Sequence, residues 1–348
     1  MRGGGVWAQE GCLRCPGGAV TILPYYGGLA SAHLASNRGR IVSELLRKFL
    51  RIGPVNRAAR VAGRLFIHGP AGDRFQRRLP LIAPFDIEVP CGEVIHWLPN
   101  RDICSKFLKY GGWDGYEGAT VRVFRELALR SRVVFDIGAY IGYFAFLAAA
   151  TRPGVRAHAF EAISELAAHA RAIASRNPSL AVEIAESAVG SSVGVAEFFA
   201  GDPWSSDSSL NSAHRPNRPP RRVPLTTIDH YVASKGIDAL DLMKIDTETT
   251  EPDVLRGGEA AIKRFRPYIV AEVLPNADIA ALTAFQASQG YVCARITGAG
   301  LAAEDLRPDA GQGDAGPANW LFFPRELPGP CGEAVADLLG ASRDAAGR

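Results

Sequence analysis

Residues 133–149 read VVFDIGAYIGYFAFLAA, and the changes of character within this stretch decide the fold. Val133, Val134 and Phe135 form an unbroken β-branched and aromatic run, which suits the end of a strand covered on both faces. Asp136, Gly138 and Gly142 then make D-x-G-x-x-x-G. Gly138 permits a sharp turn, and Gly142 lets the next apolar helix start close to whatever lies over that turn. A strand, a glycine turn and a helix N-terminus form a nucleotide cradle, although the spacing is not the G-x-G-x-x-G of dinucleotide binders. The acid at the strand's end would repel a pyrophosphate and favour a cationic group, an amine or a sulfonium. A plainer reading suits the same residues: the glycines only shape a βα turn, and Asp136 caps the helix. The uncharged run from Ile137 to Ala150 is too short for a membrane span and is broken by both glycines.

Working outward, strand and helix patterns alternate. Val155–Phe160 predicts a strand, Glu165–Ser175 a helix with Ser164 at its N-cap, and Ala181–Ala185 another strand. Beyond residues 201–222, a polar and Pro-rich loop expected to act as a lid or to be a tolerated insertion, the alternation resumes. Leu240–Ile245, Tyr268–Val273, Tyr291–Ile296 and Asn319–Phe323 read as strands, the last two as an antiparallel closing pair. Helices are expected over Thr227–Ser234, Asp253–Phe265 and Ala277–Gln289. Such alternation makes an α/β, doubly wound, mostly parallel sheet. In front of it stand the Thr120–Leu129 helix, a small β element within residues 80–117, and basic amphipathic helices between residues 41 and 67. The domain expectation is a poorly ordered leader at 1–40, a helical and β extension at 41–110, the main domain at 111–328 and a peripheral tail at 329–348.

In a doubly wound fold, an acid at the end of the second strand offers two acceptor oxygens to the hydroxyls of a ribose. Glu161 holds that place, 25 residues after Asp136. Ser187 and Ala188 follow the third strand, where they could edge an adenine. The fourth strand, DLMKIDTETTE from Asp241 to Glu251, carries Lys244 and Asp246 on one face. A strand covered on both sides tolerates such charges only at its C-terminal mouth or when paired. Glu272 has the comparable place in the next strand, so a buried Lys244–Glu272 ion pair is expected, leaving Asp246 and Glu248 to face a ligand.

Composition narrows the function classes. Among 348 residues, 39 Lys and Arg against 36 Asp and Glu give a net charge of +3, which implies no nucleic acid or other polyanion as partner. With no secretory pattern and no run of 18 apolar residues, a soluble cytoplasmic protein is expected. The six cysteines are scattered apart from Cys12 and Cys15, and that lone C-x-x-C points to reduced thiols rather than a zinc site.

Several motifs in order resemble the FkbM family of S-adenosylmethionine-dependent methyltransferases. FDIGAYIGYFAF is similar to its first motif, usually D-x-G-A-N-I-G, and Ala159-Phe160-Glu161 to its AFEP-like second. KIDTETTEPDVLRGG resembles K-I-D-V-E-G-A-E-x-x-V-L-x-G-A, and Val223–Asp229 and Asn319–Phe322 resemble later segments. Tyr116-Glu117 matches a lead-in before the first motif. The resemblance spans roughly residues 110–325 and implies a class I, Rossmann-like methyltransferase fold that binds S-adenosylmethionine through Asp136, Gly138, Tyr140, Gly142, Glu161, Ser187 and Ala188. It further implies methyl transfer to a hydroxyl of a sugar, glycan or other small-molecule acceptor. Asp246 is then the first candidate base and Glu248 the second, with Glu272 orienting through Lys244; His214 and His230 are rival bases. A divalent ion on Asp246 and Glu248 is a lesser alternative, because a third oxygen ligand is not evident, and no metal is expected.

The chain departs from the family pattern at Tyr140, which replaces Asn, and at Thr249 and Thr250, which replace Gly-Ala. If that turn requires a positive φ, a β-branched Thr is strained there. These departures motivate the alternative of a catalytically impaired cofactor-binding or scaffold protein. A dinucleotide-dependent dehydrogenase is disfavoured by the missing third glycine.

Overall fold

The computed structural model describes residue 81 and residues 83–100, 102–199, 210, 220–307 and 318–346, with isolated pieces at 54–55 and 58–59. The expected leader, most of the basic helices at 41–67, Cys12, Cys15, most of the 201–222 loop and His214 lie outside the described residues. The chain divides into two compact units, Met1–Ala59 and Arg60–Arg348, and every described strand belongs to the second.

That unit opens with a hairpin, β1 (Phe85–Glu88) and β2 (Val94–Trp97), followed by helices α1 (Ile103–Gly111) and α2 (Gly118–Ala128). Two βα repeats and a third strand succeed them: β3 (Val133–Ile137), α3 (Tyr143–Thr151), β4 (Arg156–Phe160), α4 (Ser164–Arg176) and β5 (Ala181–Ala185). A small three-stranded sheet is made by β6 (Ala188–Val189), β7 (Gly194–Phe199) and β8 (Pro220–Thr226). Then come α5 (Ile228–Lys235), β9 (Leu242–Ile245), α6 (Glu251–Arg256), α7 (Glu259–Phe265), β10 (Tyr268–Val273) and α8 (Ile279–Gln289). The chain closes with β11 (Tyr291–Thr297), β12 (Gly300–Ala302), β13 (Ala318–Pro324) and α9 (Gly329–Ala346).

The central sheet has the order β12-β11-β13-β10-β9-β3-β4-β5. From β5 to β10 the pairing is parallel; β13, β11 and β12 are antiparallel. This is the expected doubly wound, mostly parallel sheet, with its antiparallel closing pair extended by β12. The chain leaves β3 toward β5 on one side and returns to β9 on the other. A crevice therefore opens between these strands at their C-terminal ends, where ligands of such sheets bind.

Burial on both faces explains why β3 is apolar but for Asp136. Val133, Phe135 and Ile137 join the core on one face, whereas Val134 joins the core on the other. All nine residues of α3 are buried, as expected of a helix apolar on every side. Its outer side is covered by the hairpin: Trp97, fully buried, stands edge-on to Tyr143 and Phe146 at 5.9 and 6.0 Å. Asn177, at the end of α4, accepts from the His96 amide at 2.7 Å and donates to the His96 carbonyl at 3.2 Å. The Glu93 amide donates to the Ala150 carbonyl at 2.7 Å.

Three expectations are corrected here. The hairpin and α1 are not an extension apart from the domain, since Phe85, Ile87, Ile95, Trp97, Cys104 and Leu108 lie in the same core as α3. Nor is the segment after 328 peripheral, because Cys331, Ala334 and Val335 of α9 are buried in that core. The helix expected over Asp253–Phe265 is two helices, broken at Gly257-Gly258. A side chain at Gly257 would strike the Gly190 carbonyl, and one at Gly258 would press on Ile228. That close approach, which apolar periodicity does not register, bends the chain.

Candidate active site

At the mouth of the sheet, the Gly138 and Ala139 amides both donate to the Phe160 carbonyl, at 3.1 and 2.9 Å, which folds the turn against β4. Gly138 has φ +77°, and a Cβ there would collide with the Asp246 carbonyl on the other flank. Gly138 is thus required where β9 ends. Gly142, at φ +82°, starts α3 beside the Phe146 ring and Ala170. Its close approach is to the core, not to a group lying over the turn as expected.

Asp136 is 2% exposed, and its Oδ2 accepts from the Ala145 amide in the first turn of α3 at 3.0 Å. Burial pushes its carboxyl up to about 7, against the opposing pull of that amide and of Lys244. Glu161 is 7% exposed; its two oxygens accept from the amides of Tyr140 at 2.9 Å and Ile163 at 2.8 Å. Burial lifts it to about 8 in spite of these bonds. Each carboxylate oxygen carries a further lone pair. Ser164 is not the N-cap of α4: Ile163 is, while the Ser164 hydroxyl donates to Glu186 at 2.6 Å.

Two cavities meet over the turn. The first, about 530 Å³, has apolar walls that include Phe160, Ile163, Leu166 and Phe198, with Glu161, Ser187 and Ala188 at its edge. The second, about 650 Å³, is lined by Tyr116, Glu117, Asp136, Lys244, Glu248 and Glu272 among others. Gly138, Tyr140 and Asp246 line both. Of the residues given a cofactor or leading catalytic role from the sequence, all but Gly142 line these two cavities. Exposed His230, on α5, lines neither cavity.

The ion pair differs from the expected one. Lys244, 1% exposed, places Nζ 3.1 Å from Asp246 Oδ2. Register explains this, because β10 sets Val270 opposite Lys244, so Glu272 stands one level further along with Asp246. Burial works against the lysine's charge, but Asp246, Glu117 and Glu272 outweigh it and raise its pKa. Burial, then the charge of Asp246, lifts Glu272 to about 9, and the two carboxyls are hydrogen-bonded. Glu272 also supplies the third oxygen that was not evident from sequence: Asp246, Glu248 and Glu272 bring carboxylate oxygens within 4.8 Å of one another, close enough to hold a metal ion.

Two residues of the site carried no assigned role in the sequence reading. Glu251 clamps the loop after β9, with Oε1 accepting from the Thr247 amide and hydroxyl at 3.1 and 3.0 Å and from the Thr249 amide at 3.2 Å. Glu117, in the turn before α2, accepts from Asn319 Nδ2 at 3.3 Å. Its signal was the Tyr116-Glu117 lead-in, which no spacing rule connects to β9.

Comparison with known proteins bears directly on this crevice: the profile of the methyltransferase FkbM domain matches residues 136–293, from Asp136 into the start of β11. The match covers less than half of the chain. The chain is similar to 31-O-demethyl-FK506 methyltransferase FkbM of Streptomyces tacrolimicus, 31% identical over 173 residues, 40% of this chain and 65% of the relative. It thus spans just under two thirds of that relative's length. Among solved structures, FkbM methyltransferase from Methylobacillus flagellatus KT is 16% identical with TM-score 0.39, over 56% of this chain and 44% of that one. An O-methyltransferase from Bacillus cereus, in complex with SAH, is 14% identical with TM-score 0.35, over 59% and 77%. The matched residues take in both acids at the strand ends and the Lys244–Asp246 pair; Glu117 and Asn319 stand outside them.

Proposed function

We propose that the chain is an S-adenosylmethionine-dependent O-methyltransferase acting on a hydroxyl of a sugar, glycan or natural-product acceptor. One observation carries the reading: an apolar cavity with Glu161 at its wall opens, over the Gly138 turn, into a carboxylate-rich cavity holding Lys244 and Asp246. The residues fit the cofactor. Glu161, aimed by two backbone amides, has lone pairs left for ribose hydroxyls, and the apolar walls suit an adenine ring. When bound, S-adenosylmethionine supplies a methyl group activated on a sulfonium.

The chain's own work is to orient the acceptor and take its proton. Alignment of the reacting atoms supplies most of the rate. Asp246 stands where the two cavities meet, with Lys244 on its Oδ2, and is the group placed to receive the hydroxyl proton. Glu272, its carboxyl raised by burial and by the charge of Asp246, is hydrogen-bonded to Asp246 beside it. The relative's name, a methyltransferase for 31-O-demethyl-FK506, supports oxygen as the acceptor atom.

Radiolabelled S-adenosylmethionine, incubated with the protein and a mixture of glycolipid and cell-wall glycan acceptors, tests this reading. Wild type is expected to label an acceptor, and Asp246→Asn to lower the rate by about 10²–10⁴ while cofactor affinity stays within a few-fold. An unchanged rate in D246N removes Asp246 from the proposed role. Binding without any transfer to hydroxyl acceptors favours the impaired, cofactor-binding alternative.

A further inference from the structure

Among the described residues one Phe, Tyr or Trp ring stands open to solvent, that of Phe107, 46% exposed. The other large apolar side chains left outside are valines, Val94, Val193 and Val195. Phe107 lies on α1, one turn beyond Cys104, which lines the second cavity. Its ring stands 6.4 Å from that of Tyr116, which lines the same cavity. The connection to α2 is folded back to hold the two rings together. The Gly112 amide donates to the Leu108 carbonyl at 3.1 Å and the Gly115 amide to the Gly112 carbonyl at 3.0 Å, and a side chain at Gly115 would strike the Phe107 carbonyl. From α3, the Tyr143 hydroxyl donates to the Trp113 carbonyl and ties the connection to the core.

The cavity behind these rings suits hydroxyls. Glu117, Asp136 and Glu272 line it with carboxyls raised by burial, and a protonated carboxyl both donates and accepts, as a hydroxyl does. The Lys244 ammonium is already engaged by Asp246, so it is not left over for an anionic acceptor. A hydrocarbon chain would strand these polar groups without partners. The acceptor must therefore bring several hydroxyls inward, while the part that stays at the mouth meets Phe107 and Tyr116. A sugar ring meets both demands. Its hydroxyls run along its rim, and its C–H bonds, polarised positive, make a face that rests on the electron-rich face of an aromatic ring.

We propose that the acceptor is the ring of a neutral sugar, with its hydroxyl edge toward Asp246, Glu248 and Glu272 and its C–H face against Phe107 and Tyr116. This rests on the methyltransferase reading above, narrows its acceptor to a carbohydrate, and makes Phe107, which precedes the matched stretch, a determinant of specificity.

Saturation-transfer NMR on the full chain, loaded with S-adenosylhomocysteine, tests it with methyl α-D-glucopyranoside, methyl α-L-rhamnopyranoside and, as a ring with a single hydroxyl, cyclohexanol. At least one glycoside is expected to bind about tenfold or more tightly than cyclohexanol, since only it can satisfy several of the carboxyls. Phe107→Ala is expected to weaken that glycoside about fivefold, the loss of one ring contact, and Phe107→Tyr to restore it. Affinity for S-adenosylhomocysteine should be unchanged in both variants, which shows that the fold and the cofactor site are intact. Cyclohexanol binding as tightly as the glycosides overturns the proposal. So does failure of both glycosides to bind the loaded chain, or glycoside affinity undiminished in F107A. Failure of wild type to take up S-adenosylhomocysteine, measured before any sugar is added, overturns the cofactor reading itself and this inference with it.

Discussion

Around the mouth of the sheet, four side chains stand on backbone that L-residues avoid: Glu117 at φ +49°, Tyr140 at +54°, Glu248 at +55° and Thr249 at +83°. Such strain persists only where surrounding bonds over-determine it, as the Glu251 clamp does for Thr249. Relief of the left-handed strain exceeds the extra chain entropy of glycine, so Thr249→Gly is expected to stabilise the protein by about 1 kcal/mol. Urea denaturation at a fixed m-value measures it, and a loss of stability would contradict it. The strain at Thr249 was legible in the sequence, because the residue stands where the family places glycine. Asp136, Glu161, Lys244 and Asp246 were legible as well, being charges at strand ends that would otherwise be buried. The partner of Lys244 was not: choosing Asp246 over Glu272 depends on a one-level offset in the β9–β10 register, which no residue type announces.

Elements were easier to read where burial is symmetric than where it is lopsided. The parallel strands of the core announced themselves as apolar runs, and β11 and β13 as a closing pair, whereas the small sheet of β6, β7 and β8 did not. β7 is half-buried or exposed along its length, which blurs its pattern. The hairpin was read as part of an extension because Pro and Gly punctuate it. Its attachment lies in one side chain, Trp97, wedged edge-on against Tyr143 and Phe146 with Nε1 bonded to Ser105 Oγ at 2.9 Å. Trp97→Ala is therefore expected to cost about 3–5 kcal/mol of the stability of the whole unit. A cooperative single transition with a lowered midpoint would show it. Separate melting of the hairpin, with the main transition unmoved, would show the hairpin to be an independent extension after all.

Taken whole, the molecule concentrates acids at one end of its sheet and holds them there by burial. Asp136 and Glu161 have their carboxyls raised to about 7 and about 8, so in the ligand-free protein their neutral forms are the stable ones. A raised carboxyl contributes stability that is full below its ordinary range and is lost as pH climbs through the raised value. Thermal midpoints of the ligand-free protein should accordingly fall between about pH 4.5 and 8, with a shallower fall in Glu161→Gln. A flat or rising profile over that window would count against the burial of these groups. The doubly wound order itself was legible from alternation alone, and it places a crevice between β3 and β9. Identifying what fills that crevice took the conjunction of Glu161, the Gly138 turn and the matched FkbM domain.

The most direct test is a calorimetric titration of S-adenosylhomocysteine into the full chain and into Glu161→Ala. Saturable one-to-one binding in the micromolar range is predicted for wild type, with affinity reduced at least about tenfold when the carboxylate is removed. No binding by wild type, or equal affinities for the two proteins, would contradict a nucleoside held at the tips of β3 and β4.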